Sequence, residues 1–152
     1  MLRYFYDNNL VSITDQEPKD WEEAIWESGK ILKENGLITD RYIEQVIADV
    51  KEYGPYIVIV PGVAMPHSSA KNEGVLGTGI GFTIFSKPVS FVPGDQDKDA
   101  QLFFMLAAKD SAKHMENIAA LSDMLMTEGL LADLQSITSM ADYLKVMEKY
   151  DI

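Results

Sequence analysis

Two histidines carry most of the chemistry that this sequence offers, because it contains no cysteine. His67 follows Pro66 in the segment Pro61–Ser69, and a proline restricts both its own backbone and that of the residue before it to extended conformations. The imidazole is therefore presented from a stiffened loop, where its neutral form supplies a nitrogen nucleophile near neutral pH. Ser68 and Ser69 place two hydroxyl donors beside it. A lone loop histidine is more often a surface residue, so the surrounding pattern must decide.

His114 is the second histidine, and it lies near the start of a helix that we predict to begin at Ser111. A helix N-terminus has free backbone N–H groups and a partial positive potential, which suit a phosphate group. The same potential disfavours imidazolium, so a neutral ring that donates an N–H fits this position as well as a charged one. Considered alone, a histidine such as His114 is more often an exposed polar residue at a helix start.

Two lysines are candidate charges for neutralising an anion. Lys51 falls in the last turn of a helix that is predicted to end at Gly54. The helix dipole favours a lysine there in any case, which leaves a purely structural role open. Lys71 is a candidate only because it lies close to His67 in the sequence.

The spacing of apolar residues predicts the elements that position these groups. Trp21, Ile25 and Leu32 recur at near-helical spacing ahead of Gly36, which predicts an amphipathic helix with a glycine stop. A second helix follows, with Thr39 as its cap. Its buried stripe is predicted to consist of Ile43, Val46, Ile47 and Val50.

Several apolar runs then predict strands. Tyr56–Val60 is a continuous, β-branched run between prolines, which is typical of a central strand buried on both faces. Gly79–Phe85 and Val89–Val92 predict two further extended segments, with Pro88 limiting the pairing between them. Leu102–Ala108 predicts another buried strand, which follows a polar loop.

The pattern is helical again after Ser111. The buried stripe of this helix is predicted to consist of Met115, Ile118, Ala119, Leu125 and Met126. Leu130–Leu134 predicts a shorter helix, and a capping box formed by Ser139 and Asp142 predicts a C-terminal one. The order of helices, strands and helices predicts a single α/β domain over residues 1–152, in which helices cover a mixed sheet.

The segment Gly62–His67, which reads Gly-Val-Ala-Met-Pro-His, resembles the phosphorylation-site signature of the mannitol/fructose-type (type 2) IIA domains of the bacterial phosphotransferase system. The resemblance extends to the preceding pair of helices, the following glycine-rich strand and the second histidine. It implies the mannitol-type IIA fold, a mixed sheet flanked by helices on both faces. It also implies that His67 accepts a phosphoryl group from the phosphocarrier protein HPr and passes it to a IIB domain, with the membrane IIC component involved only indirectly.

The same resemblance assigns His114 as the second histidine of the site, facing the first. It also aligns Lys51 with a basic residue, often arginine, that helps to neutralise phosphate; lysine keeps the charge but lacks the planar fork of arginine. Ser68 departs from the pattern, since the family more commonly has glycine or alanine there. The segment Tyr56–His67 resembles the ascorbate-type branch more than the mannitol branch.

Other functions find little support in the composition and motifs. A formal net charge of -11 argues against binding nucleic acid through its phosphates. The glycines from Gly74 to Gly81 do not fit a nucleotide-binding motif, and the acidic run from Asp95 to Asp99 lacks the glycine and glutamate of a calcium loop. We expect no cofactor and no metal. The first residues lack the apolar core of a signal peptide, so we expect a cytoplasmic protein.

Two rival functions stay open at this point. One is a regulatory module of the same fold, in which phosphorylation of His67 controls the binding of a partner protein. The other is an acid–base hydrolase that uses His67 with an acidic partner, although no Ser-His-Asp or paired-carboxylate signature supports it.

Overall fold

The computed structural model describes residues 1–68 and 73–152 and contains one mixed, five-stranded sheet with the order β1-β4-β5-β3-β2. Its strands are β1 (Val11–Thr14), β2 (Val58–Val60), β3 (Gly62–Ala64), β4 (Gly79–Ser90) and β5 (Asp99–Ala107). Strand β1 is parallel to β4 and β3 is parallel to β5, whereas the pairs β4–β5 and β2–β3 are antiparallel. The prediction of a mixed sheet is therefore confirmed.

Six α-helices accompany the sheet in the described part of the chain. They are α1 (Leu2–Asp7), α2 (Trp21–Glu34), α3 (Asp40–Tyr53), α4 (Ser111–Leu125), α5 (Leu130–Gln135) and α6 (Met140–Tyr150). The two helices predicted ahead of the histidine loop are confirmed as α2 and α3. The capping residue predicted for α6 is also confirmed, because the Ser139 hydroxyl accepts the backbone N–H of Asp142.

Helices pack against both faces of the sheet. On one face, a Cβ atom added to Gly29 of α2 would lie only 2.5 Å from Ile43 of α3 and 3.4 Å from the sulfur of Met105 in β5. Helices α2 and α3 therefore approach each other so closely that a side chain at residue 29 would force Ile43 to shift, and α2 also packs on β5. This close approach confirms one of the two helical layers.

The opposite face carries an aromatic cluster. Phe82 of β4 stacks on Phe104 of β5 with their ring centroids 4.1 Å apart. Phe5 of α1 and Tyr143 of α6 cover this pair, with centroids 5.4 Å and 6.3 Å from that of Phe82. These contacts confirm that helices flank the sheet on both sides.

The prediction that Tyr56–Val60 forms a central strand is wrong. Only Val58–Val60 is a strand, and it lies at the edge of the sheet, where the Ile59 and Val60 side chains are 41% and 43% exposed. The chain reverses at Gly62, whose φ of +93° favours glycine, and β3 then takes the inner place beside β5. A continuous apolar run is compatible with a central or an edge strand. Here the reversal of the chain at Gly62 leaves β2 at the edge.

Four other elements differ from the predictions. Strand β3 lies within the stretch that was predicted to be loop, and α1 and β1 were not predicted. The segments on either side of Pro88 form the single strand β4, although its pairing with β5 shifts register between Ile84 and Val89. The predicted effect of Pro88, a local limit on pairing, agrees with that shift.

The buried stripe predicted for α4 is wrong in part. Met115 and Met126 are 63% and 82% exposed, and Ala119 is also exposed, whereas Leu121 and Met124 are buried. The reason is that the first turns of α4 extend past the core and Met126 already forms its C-cap. Apolar spacing locates the helix but does not show how much of it the sheet covers.

None of the helices in the described part of the chain has both the length and the apolar character needed to span a bilayer.

Candidate functional site

His67 lies on a short segment that leaves the sheet after β3 and is held by the backbone on both sides. The N–H of Met65 donates to the carbonyl of Ile57 at 2.8 Å, and the carbonyl of Pro66 accepts the N–H of Leu106 in β5 at 3.0 Å. Met65 is buried, whereas His67 is partly exposed. These two hydrogen bonds therefore fix the backbone and leave the imidazole at the surface. This agrees with the stiff loop that Pro66 led us to expect.

A hydrogen bond orients the ring of His67. Its Nδ1 lies 2.6 Å from the carbonyl oxygen of Met65. A carbonyl oxygen can only accept, so Nδ1 carries the hydrogen in this contact and the lone pair of the neutral ring is on Nε2. The geometry thus leaves Nε2 as the ring nitrogen whose lone pair is available.

Tyr56 supports His67 from the side. Its ring meets the imidazole edge-on with centroids 5.5 Å apart, and its hydroxyl donates to the carbonyl of His67 at 2.5 Å. Burial raises the pKa of the Tyr56 phenol well above its usual range, and the nearby Asp49 carboxylate adds to the effect. The phenol therefore stays protonated and remains a donor. The sequence offered no direct signal for this role, because Tyr56 was assigned to a strand.

His114 faces His67 across the site. The two ring centroids are 5.3 Å apart and the ring planes are tilted by 50°. Burial lowers the pKa of His114, and the neighbouring His67 lowers it further. His114 is therefore a neutral ring near neutral pH, able to donate one N–H to a group bound between the two imidazoles.

The start of α4 is less open than the sequence suggested. Asp110 is its N-cap, and its carboxylate accepts the N–H of Lys113 at 2.7 Å. His114 is the fourth residue of the helix, and its own N–H donates to the carbonyl of Asp110 at 3.2 Å. The side chain of His114, more than the helix terminus, is thus the group that α4 offers to the site.

Ser68 points into the protein in this structure. It is 5% exposed, and its hydroxyl donates to the Asp49 carboxylate at 2.6 Å. Its backbone N–H donates to the hydroxyl of Tyr42 at 3.2 Å, and that hydroxyl donates to the carbonyl of Leu106 at 2.6 Å. These contacts of Ser68 are to the buried side chains of Asp49 and Tyr42. A phosphate-binding role for Ser68 stays a prediction.

Of the remaining candidates, Lys51 is not brought to the histidine pair. The ammonium of Lys51 lies 3.6 Å from the carboxylate of Glu22 in α2, and its side chain is 59% exposed. Lys51 follows Asp49 by two positions in α3, which turns its side chain well over 90° away from the Asp49 face that meets Ser68. Ser69 and Lys71 lie outside the described residues. Their proposed roles stay predictions.

A cleft in the described part of the chain lies away from the histidine pair. It has a volume of about 720 Å³ and is lined by residues of α1, β4 and α4 that include neither histidine. No three His, Cys, Asp or Glu side chains cluster closely enough among the described residues to hold a metal ion. Both histidines are partly exposed, so the pair can be reached from the surface of the protein.

Comparison with known proteins agrees with this architecture. Residues 4–150 match the family model "Phosphoenolpyruvate-dependent sugar phosphotransferase system, EIIA 2", and the chain belongs to this family. It is a IIA component of a sugar phosphotransferase system, as the histidine motif predicted.

Two groups of relatives carry substrate names. The chain is 35% identical over 136 residues to the mannitol-specific cryptic phosphotransferase enzyme IIA component of Escherichia coli K12, covering 90% of this chain and 89% of that protein. It is 33% identical over 110 residues to the ascorbate-specific IIA component of Salmonella choleraesuis, covering 72% and 70%. Similarity thus extends to both branches.

Solved structures confirm the mannitol-type IIA fold. The solution structure of the mannitol-specific cryptic enzyme IIA of Escherichia coli matches with a TM-score of 0.80 and 33% identity, covering 97% of this chain and 98% of that one. The mannitol IIA of Escherichia coli, solved in complex with phosphorylated IIB, matches with a TM-score of 0.76 at 23% identity, covering 92% and 94%. The second likeness shows the shared fold.

Proposed function

We propose that His67 accepts a phosphoryl group from the phosphocarrier protein HPr and passes it to a IIB component during carbohydrate uptake. The observation that carries the proposal is that the ring of His67 is oriented by a hydrogen bond and lies beside the neutral ring of His114. Nδ1 of His67 is bonded to the Met65 carbonyl, and the His114 ring lies 5.3 Å away on the surface.

The chemistry follows from this arrangement. Nε2 of His67 attacks phosphorus in line with the N–P bond of the phosphohistidine donor; a new N–P bond forms and the departing nitrogen keeps the electron pair of the old one. Nε2 is already unprotonated in this tautomer, so no proton has to leave it first. The Nδ1–H bond to Met65 persists in the product and disperses the positive charge that develops on the ring.

His114 is proposed to support the phosphate and not to accept it. A neutral imidazole can donate one N–H to a phosphoryl oxygen. Because the ring carries no charge, it does not attract other anions strongly. Lys51, Ser68 and Ser69 keep their proposed parts in neutralising or binding the phosphate, with Lys51 needing to leave Glu22 to do so.

The partners are proteins, and the site fits that requirement. An exposed imidazole can be reached by two successive partners, and a net charge of -11 favours partners with a basic face. The membrane IIC component is involved only through IIB. We place the protein in the cytoplasm, where these partners are found, and we propose a substrate of the ascorbate or the mannitol and fructose type.

Intact-mass measurement tests the proposal. Incubation with phosphoenolpyruvate and the purified phosphocarrier proteins should add one phosphoryl group that is labile in acid and stable in base. His67→Ala should abolish the labelling, and His114→Ala, as the matched histidine control, should still label. Undiminished labelling of His67→Ala would refute the proposal. A label that IIB fails to remove from the wild-type protein would favour the regulatory role instead.

A further inference from the structure

A buried acid lies directly behind the histidine loop. Asp49 of α3 is 4% exposed, and it is the only carboxylate among the buried residues in the described part of the chain. One of its carboxylate oxygens accepts from the amide of Gln45 at 2.9 Å, and the other accepts from the hydroxyl of Ser68 at 2.6 Å. Burying a carboxylate is costly even when it is hydrogen-bonded, so its position needs a physical account.

We propose that Asp49 is a positioning residue for His67 and that it acts through Ser68. The inference rests on the proposed role of His67 as the phosphoryl acceptor. Asp49 holds the residue immediately after His67, and this fixes the backbone so that Nδ1 stays on the Met65 carbonyl and Nε2 stays unprotonated.

The contacts that transmit this effect are continuous. The side chain of Ser68 is held by Asp49 and its backbone N–H by Tyr42, whose hydroxyl is in turn bonded to Leu106 in the central strand β5. The carbonyl of His67 belongs to the same peptide group as the Ser68 N–H, and it accepts the hydroxyl of Tyr56. Release of Ser68 would let this peptide rotate, and the Met65 contact depends on the position of the same backbone.

The charge of Asp49 also acts on the two phenols that brace the loop. Burial raises the pKa of Tyr42 to about 12, with the Asp49 carboxylate contributing and the Ser68 N–H opposing. Tyr56 is shifted in the same direction, also with a contribution from Asp49. Both phenols therefore remain O–H donors, Tyr42 to Leu106 and Tyr56 to the His67 carbonyl.

Stability alone gives a poor account of this arrangement. Replacing a buried, hydrogen-bonded ionic group by apolar residues is often neutral or even stabilising, whereas removing one partner leaves the other unsatisfied. A positioning role predicts that removing both Asp49 and the Ser68 hydroxyl leaves a folded protein with a poorly set His67. The two roles can therefore be separated by experiment.

The test uses five variants of the full chain. Asp49→Ala and Ser68→Ala each break the pair, and Asp49→Ala/Ser68→Ala removes both partners. Asp49→Asn keeps a carbonyl acceptor for the Ser68 hydroxyl and serves as the conservative rescue. Glu44→Gln removes an exposed acid from the same helix and serves as the matched control.

The first readout is the tautomer of His67 in the unphosphorylated protein. Nitrogen-15 NMR at alkaline pH, where both imidazoles are neutral, distinguishes Nδ1–H from Nε2–H rings. The wild type, Glu44→Gln and Asp49→Asn should show the Nδ1–H form. Both single alanine variants and the double variant should show a mixture that includes the Nε2–H form.

The second readout is the single-turnover rate of phosphorylation by the phosphocarrier. Asp49→Ala and Ser68→Ala should each slow it about ten- to a hundred-fold, the range expected when a reacting group is misplaced by up to about 1 Å. Because Asp49 acts through Ser68, the double variant should be no slower than the slower single variant. If Asp49→Ala does not fold, the two single variants Ser68→Ala and Asp49→Asn still test the positioning role, because the first removes the hydrogen bond and the second keeps it.

Wild-type tautomer and rate in the Ser68→Ala variant would overturn the positioning role, as would additive losses in the double variant. The tautomer is measured without phosphate, so it separates the two inferences. A shifted tautomer in a protein whose wild type is never phosphorylated would sink the proposed function and leave the positioning role intact. Normal phosphorylation of every variant would refute the positioning role and leave the proposed function intact.

Discussion

Replacing His114 by alanine should slow phosphoryl transfer through His67 without abolishing it. The two rings lie 5.3 Å apart between centroids and are tilted by 50°, so a phosphoryl group on Nε2 of His67 would lie within reach of an N–H from His114. Burial and the adjacent His67 lower the pKa of His114, which makes a neutral donor the relevant species near neutral pH. Alanine removes this donor.

The size of the effect follows from the charge on the phosphoryl group. A hydrogen bond to a charged group contributes about 1.5–3 kcal/mol, which corresponds to a factor of about 10 to 150 in rate if the bond acts mainly in the transition state. His114→Gln keeps an N–H donor of similar reach and should recover part of the loss. His67→Ala, by contrast, should give no transfer at all.

Rapid-quench measurement of labelling by the phosphocarrier, and of subsequent transfer to IIB, would give both rates. The lifetime of the phosphorylated protein in the absence of a partner gives a third quantity, which should shorten in His114→Ala if the ring stabilises the phosphoprotein itself. Wild-type values for labelling, onward transfer and lifetime would remove His114 from the site and refute the reasoning.

Three further predictions concern acid stability, packing and docking. The folded-state pKa of His114 lies below its unfolded value of 6.5, so the unfolded chain binds the proton first and the free energy of unfolding should fall as pH drops through 6.5; urea titrations should show a flatter profile for His114→Gln. Gly29→Ala would place a Cβ 2.5 Å from Ile43, and an overpacking cost of about 1–3 kcal/mol should exceed the gain in helix propensity of about 1 kcal/mol, which thermal unfolding would reveal as a lower Tm. Titration with unlabelled phosphocarrier should shift NMR signals around His67 and the exposed Met115 in fast exchange, with weaker binding at high salt; shifts on a distant face alone would contradict the docking surface.

Local signals in the sequence were sufficient for the elements that frame the site. Apolar spacing and glycine stops located α2 and α3, and Pro66 indicated a stiff presentation of His67. These signals depend on residues close together in the chain, where backbone sterics and one helical face set the pattern.

The position of each strand in the sheet could not be obtained in this way. The run before Pro61 is as apolar as a central strand, yet β2 is an edge strand because Gly62 reverses the chain into β3. Strand order depends on pairing between distant segments, such as β3 with β5, and no single run of residues encodes its partner. The exposed half of α4 was misassigned for the same reason, since coverage by the sheet is a tertiary property.

The hydroxyl of Ser68 shows that two neighbours in the sequence can have different side-chain surroundings. Ser68 directly follows His67, and nearness along the chain suggested that both side chains would meet the same ligand. Successive side chains in an extended backbone point in opposite directions, so an imidazole that faces solvent turns the next side chain inward. Ser68 accordingly meets Asp49, a residue 19 positions away in the chain. The serine at position 68, which is unusual in this motif, thus has a hydrogen-bond partner in α3. We interpret Ser68 and Asp49 as a pair that fixes the histidine loop from its buried side.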